Sequence, residues 1–290
     1  MTNKSYRALA MLRSPVDPAI LRLLRVLDPI AAQLKSPYFV TGATARDLIL
    51  VNLHGLPPGR ATYDVDFGVS VRNWTQFSYL KEQLIATGTF SSTATPHRLL
   101  YNDSIGGASI PVDLIPFGGI ESGSGFIAWP PGHDVLLNVA GFDEAFASSV
   151  KLEFEPGLII PVASTPGLAL LKLTAWMDRG RETNKDAADL RQLLISYGDA
   201  GNTDRLFDRE LDLLEAANFD IVLAGAELLG CDVTAICGPK CLLAVRSFLT
   251  LERERDRLAA GMIRRGHPED DPLLQRIVTA FSRGINIASF

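Results

Sequence analysis

The residues Tyr63-Asp64-Val65-Asp66-Phe67-Gly68-Val69 form a β-favouring run into which two aspartates are set one residue apart. Side chains alternate along a strand, so Asp64 and Asp66 share one face while Tyr63, Val65 and Phe67 share the other. Two carboxylates about 7 Å apart at their Cα atoms repel unless water or a cation lies between them. A hard divalent ion such as Mg²⁺ takes oxygen ligands of this kind. The competing explanation is a half-exposed strand that shows two aspartates to water. Asp113 shifts the balance, being the one charged residue in Ser109-Ile110-Pro111-Val112-Asp113-Leu114-Ile115. If the two strands are sheet neighbours, Asp113 joins Asp64 and Asp66 in a site that holds metal and accepts a proton from an attacking hydroxyl, the chemistry of phosphoryl transfer. Otherwise it caps a strand end or pairs with a core arginine.

Upstream, Val40-Thr41-Gly42-Ala43-Thr44 leads from a short strand over residues 38–41 into a helix over 43–53. Such a turn offers backbone N–H groups and a helix N-terminus to a triphosphate, or serves only as a strand-to-helix connection. In the first helical turn, Arg46 can reach toward phosphate and Asp47 toward the helix dipole or a neighbouring arginine. Around this centre the periodicity predicts a helix over 18–34 with Asp17 as cap, a strand over 62–71, a helix over 74–86 capped by Asn73, and strands over 97–101 and 109–117. The Gly-, Ser- and Pro-rich segment 118–157 gives way to short strands over 150–154 and 158–162. From Thr165 the pattern becomes helical, with helices predicted over 166–179, 185–197, 203–218, 220–229, 240–264 and 272–282. The expected fold class is α/β (α+β): a core domain with a small mixed sheet, residues 1–164, followed by a helical domain, residues 165–290.

In the helical half, Lys172 lies in Gly167-Leu168-Ala169-Leu170-Leu171-Lys172-Leu173-Thr174-Ala175-Trp176, a run apolar on nearly all sides. A buried ammonium needs a carboxylate or a bound anion, unless it snorkels to water. Asp186 and Asp189 share a helix face and can pair with Lys172, hold it toward a nucleotide or act on an acceptor hydroxyl. Arg179 can face the same place. For these residues an interhelical salt bridge is as good an explanation as a direct catalytic part.

Of the 290 residues, 47% are hydrophobic and 21% charged, which excludes a disordered or fibrous chain. The formal net charge of -5 excludes a global basic field, so any polyanion must meet a local patch. Cys231, Cys237 and Cys241 fit neither an even disulfide framework nor a zinc spacing, and they point to the cytoplasm. Lys4, Arg7 and Arg13 interrupt any signal-peptide core, and no apolar window approaches the roughly 20 residues that span a bilayer, so neither export nor a membrane segment is expected. The four histidines form no metal spacing, and no Ser/His/Asp order or Walker loop is present. Arg253, Arg255, Arg257, Arg264 and Arg265, interleaved with Glu252, Glu254 and Asp256, read as a solvated helix face.

The order Gly42-Ala43, then Asp64-Val65-Asp66, then Asp113 resembles the nucleotidyltransferase superfamily of the DNA polymerase β type. Within it the C-terminal half looks like the toxin component of AbiE-type (type IV) toxin–antitoxin systems and its tRNA-modifying relatives. Those proteins carry a helical Lys followed by an Arg/Lys-Asp-x-x-Asp-Leu helix, matched here by Lys172, Asp178-Arg179 and Lys185-Asp186-Ala187-Ala188-Asp189-Leu190. Two departures are Ala43, where the pattern has Gly or Ser, and a longer spacer to Asp64. The resemblance implies transfer of a nucleoside monophosphate from an NTP to a hydroxyl acceptor. It implies Mg²⁺ or Mn²⁺ on Asp64, Asp66 and Asp113, phosphate cradled by Gly42, Ala43, Thr44 and Arg46, catalytic parts for the three aspartates, Lys172 and Asp186, and nucleotide binding by Lys172 and Arg179. The expected acceptor is tRNA or another RNA and the expected partner an antitoxin; the alternatives are a small molecule or protein acceptor, or a non-catalytic binding protein of the same fold.

Overall fold

The computed structural model describes residues 9–60, 62–107, 109–123, 125–264, 266–267 and 270–286. The chain divides into two compact units, Met1–Ser164 and Thr165–Phe290.

The first unit is built on an eight-stranded mixed sheet in the order β1-β9-β10-β2-β3-β6-β5-β4. Its elements are β1 (Leu9–Met11), α1 (Pro18–Gln33), β2 (Tyr38–Thr41), α2 (Gly42–Asp47), β3 (Val65–Val71), α3 (Trp74–Ala86), β4 (Phe90–Ser92), β5 (Arg98–Asn102) and β6 (Ser109–Gly118). These are followed by β7 (Phe126–Ala128), β8 (Leu136–Asn138), α4 (Phe142–Ala147), β9 (Val150–Glu155) and β10 (Leu158–Val162). The centre of the sheet is β2 antiparallel to β3, β3 parallel to β6, and β6 antiparallel to β5. One face carries Tyr38, Val40, Val65, Phe67, Val69, Leu99, Val112 and Leu114, all buried. Burying such a row supplies most of the drive for the sheet to close against helices, at roughly 25 cal/mol per Å². Helix α1 lies on this face, where Tyr38 Oη donates to Asp28 at 2.9 Å. The opposite face carries Phe39 and Phe117, packed against Phe142 and Phe146 of α4 with ring centroids 5.6–6.2 Å apart. The β7–β8 hairpin is anchored by Trp129, whose ring lies 5.0 Å from Trp74 and 5.6 Å from Phe77 of α3.

Local chemistry explains the helix starts. Asp17 accepts from Ala19 N at 2.7 Å and Asn73 accepts from Gln76 N at 2.9 Å, each satisfying a donor the first helical turn leaves open. The helix beginning at Gly42 does not run regularly to 53: α2 ends at Asp47 and Leu48–Leu53 continues as a wider π-helical segment. The strand expected from 62 begins at Val65, so Asp64 stands one residue before it. Strands β1, β4, β7 and β8 and helix α4 lie outside the elements the sequence pattern predicts.

The second unit is helical throughout: α5 (Thr165–Arg179), α6 (Lys185–Ser196), α7 (Thr203–Asp208), α8 (Leu211–Ala216), α9 (Ile221–Ile236), α10 (Pro239–Thr250), α11 (Glu252–Met262) and α12 (Asp271–Asn286). Its centre is the crossing of α9 and α12. There a methyl added at Gly284 would lie 2.0 Å from the Glu227 carbonyl, and one added at Gly230 would lie 2.3 Å from that of Phe281. Arg283 closes the crossing with an ion pair to Glu227 at 2.6 Å. Two predicted helices are each broken in two. Residues 203–218 divide at Arg209 and Glu210, and 240–264 divide at Leu251, where ψ is 114°. The second break is held by Arg255, whose guanidinium donates to the carbonyls of Leu249 (2.7 Å) and Thr250 (3.0 Å). The arginine-rich face is also only partly solvated. Arg253 is exposed, whereas Arg257 lies over the Trp176 ring at 4.9 Å and pairs with Glu254. Arg265 lies outside the described residues. Among the described residues no helix is long and apolar enough to cross a membrane.

Candidate active site

The strand register aligns the polar row. Thr41 of β2 stands opposite Asp66 of β3, Asp66 opposite Asp113 of β6, and Asp113 opposite Arg98 of β5. Paired residues in adjacent strands project to the same face, so one end of the sheet presents Thr41, Asp66, Asp113 and Arg98 side by side. Asp64 completes the group from just before β3. Each of Asp64, Asp66 and Asp113 offers a carboxylate oxygen within 4.8 Å of the others. Asp64 and Asp66 are half-buried and Asp113 is buried. Such oxygens are hard ligands, and those of an octahedral ion of Mg²⁺ size stand about 3 to 4 Å apart, so the residues present fit Mg²⁺ or Mn²⁺ after small side-chain adjustments.

Arg98 already stands beside these carboxylates. Its Nε donates to Asp113 Oδ1 at 2.6 Å and its NH2 to Asp113 Oδ2 at 2.7 Å, while NH2 lies 3.6 Å from Asp64 Oδ2. The Asp113 hydrogen bonds and charge, helped by Asp64 and Asp66, outweigh burial and hold the guanidinium more firmly protonated than usual. Of the alternatives the sequence left for Asp113, membership of the carboxylate group and pairing with an arginine are both realised. Arg98 carries no local sequence signal for this place. Its signal was the hairpin itself: once Asn102 pairs with Ser109, four residues back along β5 and four forward along β6 bring Arg98 opposite Asp113.

Gly42 makes the close approach possible. Its φ is +65°, and a Cβ there would lie 1.9 Å from Asp66 Oδ2, so only glycine fits between the turn and that carboxylate. Thr44 Oγ1 donates to the Asp64 carbonyl at 3.2 Å and so fixes the backbone just before β3. Ala43 is buried. Arg46 is buried as well, with Nε on Asp47 at 2.9 Å and NH2 on the Arg60 carbonyl at 2.9 Å. Those bonds tie α2 to the segment leading into Asp64, which is a positioning role; they leave the phosphate contact expected of Arg46 without support.

In the second unit, Lys172 Nζ lies 2.7 Å from Asp189 Oδ2 and 3.3 Å from Asp186 Oδ1. Arg179 Nε and NH2 donate to Asp186 at 2.8 and 3.1 Å. Burial pushes the Asp186 carboxyl upward, but the Arg179 hydrogen bonds and the two neighbouring cations outweigh it and leave the group below the usual carboxylate range. Of the roles open to Lys172, pairing with a carboxylate is the one seen.

A central β3–β6 parallel pair, a glycine turn entering from β2 and three converging aspartates are the arrangement expected of a nucleotidyltransferase, and that is the class of the protein. The chain belongs to the family of the nucleotidyl transferase AbiEii toxin of type IV toxin–antitoxin systems, which it matches over residues 25–230, and nucleoside monophosphate transfer is its reaction class. Among solved structures it is similar to an antigenic nucleotidyltransferase-like protein from Paracoccidioides brasiliensis, with TM-score 0.42 and 17% identity over 70% of this chain and 94% of that one. ANT(2″)-Ia in complex with adenylyl-2″-tobramycin gives TM-score 0.36 and 14% identity over 68% and 95%. The Thermotoga maritima CCA-adding enzyme complexed with tRNA gives TM-score 0.26 and 15% identity over 93% and 80%. No curated protein matches the chain in sequence.

Proposed function

We propose that the protein transfers a nucleoside monophosphate from an NTP to a hydroxyl of tRNA or another RNA in the cytoplasm, that it depends on Mg²⁺ or Mn²⁺, and that an antitoxin protein restrains it. The observation that carries the reading is the meeting of Asp64, Asp66 and Asp113 beside the Gly42 turn. The substrate hydroxyl attacks the α-phosphate in line and pyrophosphate leaves. Asp64, Asp66 and Asp113 would hold the ion, which when bound supplies a Lewis acid for the charge that builds on phosphate. The Gly42 turn presents backbone N–H groups to the phosphates, where a side chain would keep them away. Thr44 and Arg46 hold the turn and the Asp64 backbone in place. The hydroxyl proton passes to a carboxylate oxygen of the triad, with Asp113 the acceptor once Arg98 has released its carboxylate.

The test incubates the purified protein with each α-labelled NTP, Mg²⁺ and total tRNA. Label should enter RNA with the wild type and fall at least a hundredfold for Asp64→Asn/Asp66→Asn at unchanged circular dichroism. NTP turnover without label in any RNA would overturn the proposed acceptor. For Lys172 the measurement is the KM for NTP of Lys172→Met: a rise supports a phosphate-facing part, and an unchanged KM with a lowered Tm assigns it to the α5–α6 ion cluster alone.

A further inference from the structure

We propose that Arg98 is a resident counter-cation of the carboxylate triad, and that it competes with the divalent ion for the same oxygens and withdraws when the ion enters. The inference rests on the metal reading of Asp64, Asp66 and Asp113 above, and it concerns what this chain does at that site before the ion arrives.

Three carboxylates whose oxygens lie within 4.8 Å repel strongly without positive charge among them. The chain supplies that charge itself. Arg98 grips both oxygens of Asp113 in a two-pronged hydrogen bond and reaches Asp64 with the same nitrogen that serves Asp113 Oδ2. The position follows from the β5–β6 hairpin register, which sets Arg98 directly opposite Asp113. Occupation by both cations is disfavoured on charge and on geometry. An ion at about 2.1 Å from an Asp113 oxygen would stand only about 3 to 4 Å from a guanidinium bonded to the same carboxylate, and the two positive charges repel. The stakes for the triad are unequal: one guanidinium leaves a net charge of minus two, and a dication leaves minus one. Arg98 is also free to leave, because its side chain is 35% exposed and its flexible stem can carry the head into water. Arg98 is therefore a placeholder, which keeps the metal-free site folded and sets how much ion is needed to fill it.

The experiment measures Mn²⁺ binding to the full-length protein, without nucleotide, by the electron paramagnetic resonance of free Mn²⁺. Wild type, Arg98→Met, Arg98→Lys and Asp64→Asn/Asp66→Asn are compared, with melting curves in EDTA and in Mn²⁺. Removing the competitor should lower the Mn²⁺ Kd of Arg98→Met about tenfold, as expected for releasing charged hydrogen bonds. Arg98→Lys should fall between, since an ammonium keeps the charge without the two-pronged grip. In EDTA, Arg98→Met should melt below wild type, and Mn²⁺ should restore more of its Tm than it adds to wild type. An unchanged or weaker Kd in Arg98→Met, with binding still lost in Asp64→Asn/Asp66→Asn, overturns the exchange and leaves the metal site standing. Absence of saturable binding in wild type and in both Arg98 variants overturns the metal reading and the exchange with it. If Arg98→Met does not fold, Arg98→Lys carries the comparison, where a Kd equal to wild type is the overturning result.

Discussion

At the scale of single residues, Gly42 and Asp186 carry the sharpest consequences. Gly42→Ala adds a methyl 1.9 Å from Asp66 Oδ2 at a φ that L side chains resist, so either the turn or the carboxylate must move. Displacing a reacting group by about 1 Å costs roughly a hundredfold in rate, and a loss of that size in label transfer is expected. Full activity in Gly42→Ala would contradict the close approach. Asp186→Asn tests the second unit, where the buried carboxylate is hydrogen-bonded by Arg179 and faces Lys172. Its folded-state pKa lies below the unfolded one, so the charged form stabilises the fold above the ordinary aspartate pKa near 4, and that contribution is lost as pH falls through the lower folded value. Urea melts should show Asp186→Asn destabilised by about 1.5–3 kcal/mol at pH 7, with the gap to wild type closing below about pH 4. The convergence of Asp64, Asp66 and Asp113 was legible from strand alternation and one lone charge in an apolar run. Arg98 was not, because its partner is fixed by hairpin register, and nothing local shows that the Arg46 guanidinium turns inward to the Arg60 carbonyl.

Among the elements, those that depend on neighbours in sequence were the legible ones. Helices α1 and α3 begin where Asp17 and Asn73 cap them, and β6, β9 and β10 start where their apolar runs start. Strands β1, β4, β7 and β8 are three residues long and draw their order from the strand beside them, which no local pattern reveals. The break at Leu251 is hidden for a related reason: apolar periodicity runs through it, and the interruption is held from outside the local pattern, by Arg255 folded back onto the Leu249 and Thr250 carbonyls and by Ser282 on that of Leu249. The α9–α12 crossing gives a prediction of its own. Gly284→Ala places a methyl 2.0 Å from the Glu227 carbonyl and should cost about 1–3 kcal/mol, read as a lower Tm. Gly88→Ala, with nothing within 4 Å of the added methyl, should cost no more than its positive φ requires, about 1 kcal/mol. Equal losses in the two variants would show that the helices separate easily.

At the scale of the whole molecule, the first unit ends on residues pinned within it. Ala163 N donates to the Val40 carbonyl, Ser164 Oγ to Ser148 Oγ, both residues are buried, and α5 starts at Thr165. Brief subtilisin digestion is therefore expected to spare residues 162–166 and to cut in exposed segments such as 130–136 and that around Arg181, Glu182 and Lys185; early cleavage at 162–166 would contradict their burial. The change from mixed sheet to helices was visible in the apolar periodicity, since period two gives way to period 3.6 at that point. The placement of the chain's three tryptophans marks one unit optically. Trp74 and Trp129, with rings 5.0 Å apart, form a coupled chromophore pair in the sheet unit, and Trp176, under the Arg257 guanidinium, is the lone indole of the helical unit. Exciton circular dichroism then follows the sheet unit alone, so its melting is observable in one unlabelled sample.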